Sequence, residues 1–240
     1  MKEISLLELL KSGAHFGHKA SRWNPKMKPF IFTVRNNIHI IDLEKTRTQL
    51  QKAANFAAEI SKKGGNILFV ATKRQLRSIV GKQATEANMP FVDLRWLGGT
   101  FTNFKTIQRT IRKLEKLQQR KDSSDFELKY TKKERLLIER EIEKLTKLFN
   151  GLKNMKRIPQ AVFIADIHHD AIALTEARKM KVPVIAITDT NTDPSLVDYP
   201  IPANDDATAS VELITSIIAE AIKSNKATQT SEVPSEATQA

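Results

Sequence analysis

The residues best suited to chemistry are a few histidines and aspartates. His15 and His18 stand in the run His-Phe-Gly-His, which is not a helical zinc motif. His168-His169 adjoin Asp166 and Asp170, while Asp189, Asp193, Asp205 and Asp206 follow near other expected strand ends. Imidazole and carboxylate ligands from separate loops can converge on one divalent ion, here a structural zinc or magnesium. The strongest such set is His18, Asp189 and Asp205, which would join the N-terminal arm to a sheet. The plainer alternative stays open: His168-His169 cap a strand or a helix start, and the aspartates are turn and N-cap residues. There is no cysteine, so disulfides, thiolate zinc sites and cysteine nucleophiles are excluded.

Signatures of nucleotide chemistry are missing. Neither a GxGxxG nor a GxxxxGK run occurs, and there is no GxSxG. Gly64-Gly65 precedes its apolar run, and Gly98-Gly99 follows Arg95-Trp96-Leu97. Neither pair forms a phosphate loop after a strand. No catalytic residue is assigned. The enzymatic alternative is a metal-dependent phosphoesterase of flavodoxin-like fold working through His168, Asp166 and Asp189.

The second chemistry is cationic. The chain has 39 Lys+Arg against 27 Asp+Glu, net +12. Cations beside phosphates release condensed counterions, so a polyanion partner is expected; an anionic membrane surface or simple solubility would also fit the total. The distribution is more telling. Residues 105–157 carry 17 basic and eight acidic groups, whereas residues 158–240 carry five and twelve. One face on RNA and another turned away would produce that split. The expected RNA contacts are Arg22, Lys26, Lys28 and Arg35 in the arm, Lys73, Arg74 and Arg95 after expected strands, and Lys105, Arg109, Arg112, Lys113 and Lys116 beyond them. Trp23 and Phe30, interleaved with the arm's cations, would either stack on exposed bases or anchor the core. A free RNA-binding regulator is a third functional class.

Elements to position these groups follow from periodicity. Runs at 66–71, 89–94, 161–165 and 182–187 are short, apolar and rich in strand formers. Tyr199-Pro200-Ile201 reads as an edge strand. Helical stretches are expected to about Ala87, over 170–180 and over 206–223. The alternation implies an α/β fold, a parallel sheet flanked by helices. The segment 105–157 breaks it. Ile107, Ile111 and Leu114, then Ile138, Ile142, Leu145, Phe149 and Leu152, are spaced as the seams of two helices. Thr131-Lys132-Lys133-Glu134 between them has the form of a capping box. An inserted antiparallel helical hairpin, a coiled coil, is expected, projecting from the sheet. The domains are therefore 1–104 with 158–223, the insertion 105–157, and a polar tail 224–240 expected to be disordered. Residues 13–43 read as a loop-rich arm packed on the sheet. No run resembles a signal peptide or a membrane span, so a soluble, intracellular, cytoplasmic protein is expected.

Several stretches together resemble the bacterial and organellar form of small-subunit ribosomal protein two. They are GAHFGH at 13–18, WNPKMKPFIF at 23–32, RNNIHIIDL at 35–43, LFVATKR at 68–74, RWLGGTFTN at 95–103, DTNTDP at 189–194 and PANDDA at 202–207. The resemblance implies a flavodoxin-like domain with an inserted helical hairpin. It implies a structural part in translation, bound to small-subunit ribosomal RNA where head meets body. It also implies help in docking neighbouring small-subunit proteins, including protein one, which captures messenger RNA. No homo-oligomer, membrane or required cofactor is expected, and an organelle's stroma or matrix would serve as well as cytoplasm. The chain departs from the family pattern at Lys156-Arg157-Ile158-Pro159-Gln160, where relatives often have Gly-Gly-Leu-Pro-Asp. That adds charge where the hairpin rejoins the sheet.

Overall fold

A computed structural model describes residues 4–123 and 125–230. The chain enters through α1 (Leu6–Lys11) and three short strands, β1 (Phe16–Lys19), β2 (Ile31–Arg35) and β3 (Ile38–Ile41). These pair antiparallel in the order β1-β3-β2. Asn36 and Asn37 make the β2–β3 turn with φ of 50° and 59°, the left-handed pair that a two-residue hairpin requires. The arm expected to be loop-rich thus contains a small sheet. Periodicity does not reveal it, because β2 is largely exposed and shows no inside–outside alternation.

Next come α2 (Leu43–Lys62), β4 (Ile67–Val70), α3 (Arg77–Glu86) and β5 (Phe91–Val92). No apolar pattern predicts the long α2; its buried stripe, Leu50, Ala53, Ala54 and Ala57, is mostly alanine and gives a weak signal. After α4 (Phe104–Lys121), α5 (Phe126–Lys129) and α6 (Lys132–Phe149), the chain returns through β6 (Ala161–Ile164), α7 (Ala171–Lys179), β7 (Val184–Thr188), β8 (Tyr199–Pro202) and α8 (Thr208–Thr230). The large sheet is parallel, in the order β5-β4-β6-β7-β8. That is the flavodoxin-like winding, with the order reversing at β4 and β6.

Side chains alternate across this sheet and feed two cores. Ile67, Phe69, Phe163, Ile185 and Ile187 pack under α2, α3 and α8. Leu68, Val70, Val162, Ile164 and Ala186 face α7 and the hairpin base, where Ile107, Ile111, Leu114, Phe149 and Leu152 lie. The base of the insertion therefore does a covering helix's job, and that burial anchors it. Each of α4 and α6 is 18 residues long, about 27 Å at 1.5 Å per residue. Burial fades along α6: Phe149 is buried, while Ile142, Leu145 and Ile138 are only half-buried. The capping box forms, Thr131 Oγ1 accepting from Glu134 N and Glu134 Oε2 accepting from Thr131 N. Two boundaries differ from expectation. The strand expected at 89–94 is only Phe91–Val92. The tail expected from 224 continues as helix to Thr230, and its last residues, 231–240, lie outside the described residues.

Candidate nucleic-acid interface and metal centre

Sheets of this winding bind ligands beyond the carboxyl ends of their strands. Here the β7–β8 half of that edge is covered by the chain's own arm. His18 N donates to Thr190 Oγ1 (2.8 Å), Asn24 N to Thr190 O (2.7 Å) and Asn204 N to Ala14 O (3.1 Å). The approach is so close that a Cβ on Gly17 would meet Thr190 Cγ2 at 2.6 Å. Only glycine fits there. Trp23 is half-buried against His39, ring centroids 5.3 Å apart, and so serves as an anchor of the arm.

Under the arm the three expected ligands converge. One donor atom from each of His18, Asp189 and Asp205 lies within 4.8 Å of the others. His18 Nδ1 is 3.1 Å from Asp189 Oδ2, and His18 Nε2 is 3.5 Å from Asp206 Oδ2. Asp189 is 1 % exposed and its enclosed Oδ2 has no well-directed hydrogen bond. An unsatisfied buried carboxylate oxygen is expensive unless a cation or proton meets it. Pairing with Asp189 raises the His18 pKa above its ordinary value against the opposing effect of burial. Burial first, then the charges of Asp166 and Asp189, pushes Asp205 up to about 8. Four carboxylates, Asp166, Asp189, Asp205 and Asp206, meet one ammonium and one imidazole, a surplus of negative charge suited to a divalent ion.

That ammonium is Lys73. Its Nζ is 3.0 Å from Asp166, 2.6 Å from Asp206 and 3.7 Å from Asp205. Burial opposes its charge, but the hydrogen bonds it donates to Asp206 and Asp166 prevail and hold it protonated. Expected as a phosphate contact, Lys73 is instead neutralised inside the acidic cluster. Asp166 Oδ1 accepts from the backbone of His168 and His169 at 2.9 and 2.8 Å, and Asp170 accepts from Thr72 N and Oγ1. Asp166 thus closes a turn, whereas Asp170 stands at the N-terminus of α7 without a side-chain cap and ties the β4 end to it through Thr72; both histidine rings are exposed.

The remaining cations fall into two groups. Lys26 pairs with Asp193 (2.6 Å) and Lys113 with Glu141. Among the described residues, Arg22, Lys28, Arg35, Arg74, Arg95, Lys105, Arg109, Arg112 and Lys116 are exposed and have no ion pair. Spacings of four, three and four put Lys105, Arg109, Arg112 and Lys116 on one stripe of α4. The buried residues Ile107, Ile111, Leu114 and Leu117 occupy the opposite face. Packing of the seam therefore turns the cations outwards. α4 holds seven basic residues and one acidic.

Glu176 is not conspicuous in the sequence, yet it sets where this stripe begins. From α7 its carboxylate accepts from Gly99 N (2.7 Å), Phe101 N (3.0 Å), Thr102 N (3.2 Å), Thr102 Oγ1 (3.2 Å) and Trp96 Nε1 (3.2 Å). Burial raises its pKa, but these donors outweigh burial and hold it below the usual carboxylate range. The loop they belong to carries Arg95 and leads straight into α4. The signal in sequence is indirect: a Gly-Gly turn needs an acceptor for its amides.

Comparison with known proteins agrees with this architecture. The family model for ribosomal protein S2 matches residues 9–225. The small ribosomal subunit protein uS2 of Nocardia farcinica is 48% identical over 222 residues, covering 92% of this chain and 78% of the relative. That of Chloroherpeton thalassium is 50% identical over 222 residues, with 92% and 88% covered, and that of Roseiflexus sp. is 50% identical over 218, with 91% and 83%. With the flavodoxin-like sheet, the inserted hairpin and a match spanning nearly the whole chain, this protein belongs to the ribosomal protein S2 family.

Proposed function

We propose that the chain is a structural, non-catalytic constituent of the small ribosomal subunit, acting in translation by binding ribosomal RNA. The observation that carries this reading is the unpaired stripe Lys105, Arg109, Arg112 and Lys116, turned outwards by the hairpin's own core. With Arg22, Lys28, Arg35, Arg74 and Arg95 it supplies mobile charge for phosphates, while the sheet fixes position. Lys26 and Lys113 join only where RNA displaces their carboxylate partners. Head–body bridging and docking of small-subunit protein one are part of the same role. The acidic last third supports a protein rather than an RNA neighbour there. The phosphoesterase alternative gains nothing from the relatives, and its Asp166 is engaged by Lys73 and two backbone amides. The place of work is the ribosome, in cytoplasm or an organelle.

A structural divalent metal, zinc or magnesium, held by His18, Asp189 and Asp205, belongs to the same proposal. It would pin the arm over the sheet, where donor atoms of the three residues converge and the ion would take the place of the His18 proton at the enclosed Asp189 oxygen. Metal analysis of full-length protein, dialysed and then given one equivalent of zinc or magnesium, tests it. One ion should be retained by the parent and absent from His18→Ala. Equal retention in both, or none in either, would exclude the metal. For RNA, Arg109→Ala/Arg112→Ala/Lys116→Ala should weaken association and reduce the slope of its salt dependence by about one for each phosphate no longer neutralised. An unchanged slope would place the stripe in solvent or against protein.

A further inference from the structure

At the other end of the sheet, where the strands begin, a cleft of ≈ 690 Å³ separates the sheet from the hairpin base. It has nothing in common with the His18 cluster, which lies at the strands' carboxyl ends. Its polar lining includes Asn66, Thr85, Asn88, Asn154, Lys153 and Lys156, with Glu115 and Asn150, and the apolar run Met89-Pro90-Phe91 lines the sheet side.

The walls are held from both sides. Gln160 N donates to Asn66 O (2.9 Å) and Gln160 Oε1 accepts from Asn66 N (2.7 Å), tying the connector to the sheet. Gln108 Nε2 donates to Lys156 O (2.6 Å), tying it to α4. Gly151 sits so tightly on Phe91 that a Cβ there would overlap the Phe91 carbonyl. Among the described residues nothing engages the side-chain amides of Asn66 and Asn154, and Asn154 is exposed.

The geometry points to a pocket for one unpaired RNA nucleotide, and we propose that as its ligand. Asparagine amides donate and accept together, the pattern that reads a base edge. Two lysines suit the flanking phosphates, and an apolar side suits a base plane. The volume falls within the usual range for a small-molecule site, roughly 300–1,000 Å³. Glu115 at the wall offers an acceptor for a base amino group. The inference rests on the RNA-binding reading and adds a site to it: the hairpin stripe tracks backbone, while the cleft takes an extruded base.

The test uses the full chain with two probes, a short single-stranded RNA of mixed sequence and a blunt RNA duplex of the same composition. Asn66→Ala/Asn154→Ala changes no charge. It should weaken single-strand binding about tenfold, within the range for one base-edge pairing, and leave duplex binding and salt slope unchanged. Asn154→Ala alone, at an exposed position, should give a smaller loss in the same direction and guards against misfolding of the double variant. Equal losses on both probes, or no loss on either, would overturn the cleft. A free nucleoside monophosphate competing as well as the strand would also overturn it, since the site would then be for a metabolite. Arg109→Ala/Arg112→Ala, run alongside, should weaken both probes. If it does and the asparagine variants do nothing, the cleft alone fails; if it too does nothing, the RNA reading fails first.

Discussion

Single residues decide whether the arm and the hairpin are fixed or loose. Glu176→Gln keeps the shape but replaces a charged acceptor that five donors share. Hydrogen bonds to charged groups contribute about 1.5–3 kcal/mol, so a loss of roughly 2 kcal/mol in denaturant unfolding is expected. Its pKa is depressed in the folded chain, so the stabilisation is full above the unfolded value, about 4.3, and disappears as pH falls through the folded value. Melting temperature should therefore fall more steeply in the parent than in Glu176→Gln as acid is added below that point. Parallel curves would show that the carboxylate is not the acceptor described. Gly17→Ala should cost about 1–3 kcal/mol by overpacking against Thr190 and expose the arm to protease; unchanged proteolysis would contradict the close approach. The convergence of His18, Asp189 and Asp205 is legible because histidine and aspartate at strand ends are chemically conspicuous. The neutralisation of Lys73 was not, because its hydrogen-bonding partners Asp166 and Asp206 lie 93 and 133 residues away in sequence.

Elements were legible where their burial is one-sided. α4 announced itself by Ile107, Ile111 and Leu114, and α6 by its capping box. The β2 strand and α2 were not, one because Phe32 and Val34 are exposed and the other because its stripe is alanine. The hairpin divides into a base that belongs to the sheet's core and a distal part in which α4 and α6 are joined through α5, with Phe126 buried. Substitutions should separate accordingly. Leu152→Ala, in the base, should cost about 2–5 kcal/mol of global stability. Thr131→Ala, at the α6 N-cap, should cost about 1 kcal/mol and appear as faster amide exchange in the hairpin with little change in the sheet. Equal exchange in both would mean that the hairpin and the sheet open as one unit.

Over the whole molecule, the net charge of +12 conceals two opposite populations. Acids gather at the carboxyl ends of the sheet and on the last third. Unpaired cations gather on the arm, on the Arg95 loop and along α4. The fold makes this separation possible: the seam of α4 turns one charge class outwards, and the arm covers the other. Total charge alone left RNA, membrane and solvent as partners. Placement of the charges narrowed these, and the family match carried the word ribosomal. The most direct measurement is a density-gradient profile of the tagged full-length chain at low and high salt. The chain should sediment with small subunits at low salt, and the Arg109/Arg112/Lys116 alanine variant should be released at lower salt than the parent. Parent protein remaining at the top of the gradient at low salt, or a variant released at the same salt as the parent, would contradict a role for this stripe in holding ribosomal RNA.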